Sequence, residues 1–475
     1  MPPFSLLPPE ILLHILKREC LREIVDFGQT SRRLYSLVKN ERIVWKNAKD
    51  AEYLPLPTGH TIHTVPVELL FPIALRACSI AIALQQPIVI PKRFAPVAPL
   101  NIERDEMPYN LEIPGGRWTM YNTESGIRFY DSSETPLEND TIISDGRLAR
   151  SAIGTVGGGI VRCVQAVCTD SNPPYMPLGS SYVIDIHFAV ENTENCSANQ
   201  APQINSVPIP IPRINGPDVS DIMGSLILSI GEQSYDFLYL CDVESRTGLI
   251  LSFTGHNKSW YQIKCAQFLP SLRKVLLNIQ LPEKHGGYHY DFAVWVFDIP
   301  EVPSPNASES STTSDFLWMD QIVHIQRNHQ YIEPLDWDGD NPDPSEMPDS
   351  YVGVDEFILR CPQFPEAFAM VVVCLTPEDK LEAVFLGLFD RAPEYCPYGG
   401  RIIGTRSVSE NRLHVVCTDP LRRKLLEKTF EIPGGADLEG ESMITRVDLV
   451  HGQVALLRRK GRGVLDTVPC FVLQY

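Results

Sequence analysis

Four short runs along this chain end alike: Ile127-Arg128-Phe129-Tyr130-Asp131, Tyr239-Leu240-Cys241-Asp242, Trp295-Val296-Phe297-Asp298 and Gly387-Leu388-Phe389-Asp390. Each is rich in β-branched and aromatic residues and closes on an apolar or aromatic residue followed by Asp, which is the composition of a strand running into a turn. From about residue 100 to residue 475 the whole chain has this texture, and 40 prolines and 30 glycines punctuate it. The closing aspartates at 131, 242, 298 and 390 lie 111, 56 and 92 residues apart. Those intervals approximate two, one and two units of about 50 residues, the length of a propeller blade with loop insertions. Some 375 residues of such texture then hold about seven units.

Further echoes support repetition. Glu112-Ile113-Pro114-Gly115-Gly116 returns as Glu431-Ile432-Pro433-Gly434-Gly435, and Val167-Cys168-Thr169-Asp170 as Val416-Cys417-Thr418-Asp419. An Asp at a strand end accepts hydrogen bonds from the following turn, and the aromatic before it packs between neighbouring sheets. This pattern resembles the Trp-Asp ending of WD-repeat blades, although Tyr, Cys or Phe stands where Trp is usual and Gly255-His256 is the one Gly-His pair beyond residue 100. The expected fold class is mainly β with an N-terminal α segment, the β part being a propeller of about seven blades; an array of β-sandwiches is the alternative. The expected organisation is a helical domain over 1–50, a helical linker over 51–95 and a substrate-binding β domain over 96–475.

The N-terminus reads differently. In Leu7-Pro8-Pro9-Glu10-Ile11-Leu12-Leu13-His14-Ile15-Leu16 the two prolines preset φ for a first helical turn, Glu10 favours the positive end of the helix dipole, and Ser5 is a candidate cap. Ile11, Leu12, Ile15 and Leu16 then recur at helical spacing on one broad apolar face. With Ser31-Arg32-Arg33-Leu34 and Trp45 following in order, this stretch resembles an F-box over roughly residues 5–50. The chain departs from that family's pattern at Glu19 and Leu21, in the turn between the first two helices. The resemblance implies that Leu7, Pro8, Ile11, Leu12, Ile15 and Leu16 contact a Skp-family adaptor and, through it, a cullin. Ile24, Leu34, Leu37 and Trp45 are expected to form the small internal core.

Charge separates the two regions. Residues 1–50 hold nine Lys/Arg and six Asp/Glu, a net of +3, so the remaining residues carry −21 of the total −18. A field of that sign repels phosphate backbones and anionic lipid heads and favours basic partners, so neither a nucleic-acid nor a membrane role is expected. Leu69 to Leu84 is the longest apolar stretch, but Pro72 and Arg76 interrupt it and a buried helix is expected. The first residues lack a basic leader, and Lys17-Arg18-Glu19 closes the apolar helix at once, so an intracellular location is expected. The sequons at Asn139, Asn195, Asn257 and Asn306 are then chance matches.

Little in the chain nominates chemistry. Twelve cysteines include no Cys-x-x-Cys pair, which leaves zinc and redox motifs without support. Asp336, Asp338 and Asp340 alternate like the start of a calcium loop, but Asn341 occupies the Gly position, Met347 the twelfth position, and Pro334 and Pro342 flank the run. It reads as a solvated acidic loop. Gly154-Thr155-Val156-Gly157-Gly158-Gly159 has no following Lys-Ser/Thr and reads as a turn or bulge rather than a phosphate cradle. Arg422-Arg423-Lys424 and Arg458-Arg459-Lys460 are the dense basic groups. No catalytic residue, metal site or cofactor is expected. The implied role is that of a substrate-receptor subunit of a Skp–cullin–F-box ubiquitin ligase that holds a protein target. A scaffold protein without ligase role and a propeller enzyme are the alternatives.

Overall fold

The computed structural model describes residues 7–97, 110–113, 115, 118–123, 126–131, 147–168, 180–188, 203–209, 218–230, 237–254, 262–269, 272–281, 291–302, 317–324, 331–332, 350–353, 356–364, 367–375, 381–389, 402–409, 412–419, 424–431, 442–448, 450–458 and 470–474. Helices come first: α1 (Pro9–Leu16), α2 (Leu21–Gln29), α3 (Arg32–Asn40), α4 (Arg42–Lys46), a 3₁₀ turn at Ala51–Tyr53, and α5 (Val67–Gln85). Among the described residues α5 is the one helix long and apolar enough to cross a membrane by length and composition. Its buried residues Leu70, Phe71, Ala74, Ala77 and Ile80 recur at helical spacing, and it packs against α2, α3 and α4. One core therefore runs from Leu16 to Ala77, with Ile24, Val38, Trp45, Val65, Leu70 and Ala74 fully enclosed. The 51–95 segment, expected as a linker, supplies much of it.

Everything after α5 is β. Two short strands, β1 (Ile88–Val89) and β2 (Arg93–Val97), precede a first sheet of β3 (Asn110–Glu112), β4 (Trp118–Thr123) and β5 (Gly126–Asp131). The second sheet holds β6 (Arg147–Gly157), β7 (Ile160–Cys168), β8 (Ser180–His187) and β9 (Gln203–Ile209). The third holds β10 (Asp218–Met223), β11 (Leu226–Ile230), β12 (Phe237–Asp242) and β13 (Thr247–Thr254), and the fourth β14 (Gln262–Leu269), β15 (Lys274–Leu281) and β16 (Asp291–Asp298). The chain then crosses back: β17 (Leu317–His324) lies parallel to β13, and β18 (Tyr331–Ile332) returns to the edge of β16. A fifth sheet follows with β19 (Ser350–Gly353), β20 (Glu356–Phe364), β21 (Ala367–Leu375) and β22 (Leu381–Phe389). The sixth is β23 (Ile402–Ser409), β24 (Arg412–Asp419) and β25 (Lys424–Glu431), and the seventh β26 (Ser442–Asp448), β27 (Gln453–Arg458) and β28 (Cys470–Gln474).

The early strands complete the late sheets. β1 pairs parallel with β25, Ile88 opposite Thr429, and β2 pairs antiparallel with β28, Arg93 opposite Gln474. First strands of successive sheets approach one another, β3 to β6, β6 to β10, β10 to β14 and β23 to β26. Among the described residues, seven antiparallel meanders, their first strands adjoining at those four junctions, make a propeller-like β region. Its cores lie between sheets. One joins the third and fourth through Leu240, Leu249, Phe268, Val275, Trp295 and Phe297; another joins the second and third through Val164, Val183, Ile222, Ile227 and Cys241.

Repetition is clearer in the backbone than in the sequence. The first strand of five sheets carries a β-bulge near its start: between Leu148 and Arg150, Val219 and Asp221, Ile263 and Cys265, Ile402 and Gly404, and Ile444 and Arg446. A bulge adds local twist and bend, which successive tilted sheets require. Of the repeated sequence endings, Asp131, Asp242 and Asp298 all close third strands, of the first, third and fourth sheets. The last run ends β22, in the next sheet on, so its 92-residue interval is one unit enlarged by β17 and β18 rather than two. Val167-Cys168 and Val416 to Asp419 both end second strands, whereas Glu112 ends a first strand and Glu431 a third.

Candidate functional site

Pro8 precedes α1 with φ −57° and ψ 147°, and its carbonyl accepts the Ile11 and Leu12 amides at 3.1 and 3.2 Å. Pro9 at the first helical position has no amide to leave unpaired, and Glu10 sits in the positively polarised first turn. The helix is short and splits its apolar residues between two stripes. Leu12 and Leu16 point inward, 1% and 2% exposed, while Ile11 and Ile15 are 48% and 38% exposed and Pro8 is exposed beside them. Leu7 is half-buried, and its carbonyl accepts a hydrogen bond from Arg33 Nη2 at 2.8 Å. Thus the six residues expected at an adaptor contact occupy two faces. Pro8, Ile11 and Ile15 form an open stripe, and Leu12 and Leu16 are enclosed by the chain itself.

The rest of the motif builds the platform under this stripe. Ser31 Oγ caps α3 by accepting the Leu34 amide at 3.3 Å. Leu34 and Trp45 are buried, Leu37 half-buried, and the Trp45 indole N–H donates to the Val38 carbonyl at 3.0 Å, satisfying an end carbonyl of α3. Gly28 in α2 lets α5 close: a Cβ there would lie 3.0 Å from Phe71 Cε2. Phe71 in turn meets Tyr35 edge-on at 4.9 Å and Trp45 at 6.0 Å. Phe71 and the other buried α5 residues lie in or beside the apolar stretch expected to form a buried helix, yet their partner helices were not readable from it.

At Glu19 and Leu21, where the chain departs from the family pattern, the α1–α2 turn closes by other means. Arg18 adopts a left-handed φ of 71°, its amide donates to Asn47 O at 3.1 Å, and the Lys49 amide donates to Glu19 O at 3.1 Å. Cys20 begins α2, its amide donating to Glu23 Oε2 at 3.0 Å, and the Leu21 amide donates to Asp50 Oδ1 at 2.7 Å. That Cys20 amide, with a hydrogen bond from Glu19, holds the Glu23 carboxyl down at about 2, while sharing a proton with Glu23 raises Glu19. Burial raises Asp50. These groups fix the turn.

In the β region the described residues hold no group of three or more His, Cys, Asp or Glu able to bind a metal. Asp336, Asp338 and Asp340, Ser5, the four sequons, Arg422, Arg423, Arg459 and Lys460 lie outside the described residues. Asp242 behaves as its strand-end position predicts, Oδ1 accepting the Glu244 amide at 3.0 Å, and Asp298 pairs with Lys274. Buried Arg162 on β7 makes a two-pronged contact with Asp185 on β8, at 2.7 and 2.8 Å, and donates to Gly224 O at 2.9 Å in the next sheet. Each of the three guanidinium nitrogens has a structural partner. The Gly154–Gly159 run is the β6–β7 hairpin, with a bulge between Thr155 and Gly157 and positive φ at Gly157, Gly158 and Gly159.

Residues 4–49 match the family model described as F-box-like, so the N-terminal helices form an F-box-like domain. No curated protein matches the chain. Among solved structures it is similar to the β-propeller domain of the Trilobed protease from Pyrococcus furiosus, at 11% identity over 67% of this chain and 80% of that one, TM-score 0.30. It is also similar to a subtype N11 neuraminidase-like protein of A/flat-faced bat/Peru/033/2010 (H18N11), at 8% identity over 80% and 98%, TM-score 0.35. A third is Pyrococcus horikoshii acylaminoacyl peptidase, at 10% identity and TM-score 0.31, where 66% of this chain covers 42% of the peptidase. Similarity at this level says nothing about chemistry.

Proposed function

We propose that this protein is the substrate-receptor subunit of an intracellular Skp–cullin–F-box ubiquitin ligase, with a divergent WD-like β region that holds a protein target. The observation that carries this reading is the open Pro8–Ile11–Ile15 stripe inside the F-box-like segment 4–49. F-box domains generally bind Skp-type adaptors, and an exposed aliphatic stripe on a short rigid helix is the kind of surface whose burial drives such association. The receptor supplies position rather than chemistry. A target held on the β region meets a ubiquitin-loaded partner at raised effective concentration, so no catalytic residue of this chain is needed. The −21 charge outside residues 1–50 favours a basic target segment.

The test is co-expression of the full chain with a Skp-family adaptor followed by size-exclusion chromatography, with Ile11→Asp as the variant. Ile11 is half exposed in the free chain, so Asp is tolerated there, yet an adaptor contact would bury that carboxylate unpaired. A co-migrating complex that Ile11→Asp abolishes supports the proposal. Absence of a complex with either protein overturns it in favour of a scaffold with a helical cap.

A further inference from the structure

Residues 56–64 connect the helical core to α5, and three sheets hold them. From the first sheet, Gly115 is pressed on Thr58 so closely that a Cβ on the glycine would lie 2.4 Å from Thr58 Cα. From the second, the Gly159 amide donates to Gly59 O at 3.0 Å, and a Cβ on Gly59 would come within 2.4 Å of the Gly159 carbonyl carbon. Gly159 O meanwhile accepts the Phe188 amide at 2.8 Å, and a Cβ on Gly157 would meet Thr64 Cγ2 at 2.8 Å. His60 is enclosed in the same joint, 8% exposed. From the seventh sheet, His451 Nε2 lies 3.2 Å from Leu56 O, its Nδ1 2.8 Å from Asp448 Oδ2, and its carbonyl accepts from Arg76 Nη2 on α5 at 3.3 Å. β1 and β2, which follow α5 directly, then pair with the sixth and seventh sheets.

In such an array no hairpin leads from the last sheet to the first, and the seam between them is bridged here by residues 56–64, Leu56 meeting His451 of the seventh sheet and Thr58 meeting Gly115 of the first. The grip of residues 56–97 falls on the sheets at the two ends of the array, the first and second at one end and the sixth and seventh at the other. By contrast, among the described residues the hydrophobic core shared by the third and fourth sheets contains none from residues 7–97. We propose that the helical unit is a clamp on the seam, so that loosening residues 56–64 frees the first and seventh sheets while the third and fourth stay closed. Any partner that stabilises the helical unit then also stabilises the seam, and the linkage is reciprocal. This inference holds or fails independently of what binds α1.

The experiment is amide hydrogen exchange on the full chain, comparing Gly59→Val and His451→Ala with Gly158→Ala. Gly158 shares the hairpin and has φ of +65°, but its Cβ would meet nothing within 4 Å, so that variant reports left-handed strain without disturbing the joint. The expected result is exchange about tenfold faster in β3, β4, β27 and β28 for both joint variants than for Gly158→Ala, with β11, β12, β15 and β16 unchanged. His451 lies outside the helical core and decides the matter if Gly59→Val melts α5. Equal exchange in all variants, or acceleration spread evenly over every sheet, overturns the clamp.

Discussion

The carboxylate of Asp221 on β10 accepts the backbone N–H of Phe268 on β14 at 2.7 Å, tying the third sheet to the fourth from a part-buried position just after a bulge. Its other oxygen accepts the Ile222 amide at 2.8 Å. Burial pushes its pKa up to about 7, against the downward pull of those two amides. A folded pKa above the unfolded value near 3.8 means the folded state prefers the proton. Asp221 therefore costs nothing below about pH 4, and the penalty grows as pH rises until it is complete above about 7, on the order of 4 kcal/mol as an upper bound. Asp221→Asn should flatten this component: denaturant midpoints at pH 4.5 and 7.5 should differ less in the variant than in the parent. An identical difference in both proteins would refute the assignment.

Leu12 and Ile11 are neighbours with opposite fates. Leu12→Ala removes an enclosed side chain and should destabilise the chain by about 2–5 kcal/mol, whereas Ile11→Ala should change stability by less than about 1 kcal/mol. Thermal unfolding followed by helix signal distinguishes them, and equal losses would place Ile11 in the core.

Trp45→Phe keeps an aromatic ring but removes the donor to Val38 O. The orphaned carbonyl and the lost volume should together cost about 2–3 kcal/mol. Infrared or exchange measurements should locate the loosening at the C-terminal turn of α3; a stability within about 0.5 kcal/mol of the parent would contradict it.

Gly28→Ala ought to help a helix by about 1 kcal/mol on propensity alone. Here the new methyl meets Phe71, itself wedged between Tyr35 and Trp45, so net destabilisation of about 1–2 kcal/mol is expected. Coupling with Phe71→Leu in a double-mutant cycle should recover most of it. Additive losses would show that the clash is not the cause.

Several of these relationships were legible beforehand and others were not. Pro8, Glu10, Ser31 and Trp45 signal helix starts and ends locally, and each does what its residue type predicts. Asp242 likewise meets its own turn two residues on. The division of Ile11 from Leu12 was illegible, because the spacing of apolar residues on one helix tells how wide the face is, not which part of it the rest of the chain will cover. The 92-residue interval before Asp390 misled for a related reason: β17 leaves its own sheet to lie on β13, a pairing with no short-range sequence signal.

The sequence alone determined the helical N-terminus, the strand texture beyond it and a count of about seven units, because turn residues, caps and hydrophobic period act over a few residues. Tertiary structure decided which distant segments pair. β1 and β2 pair with strands more than three hundred residues later, the glycines at 59 and 159 matter only because two backbones meet there, and α5 found its place against α2, α3 and α4. Such contacts depend on chain segments distant in sequence arriving together, and the energy that selects them, burial and close packing, has no local signature.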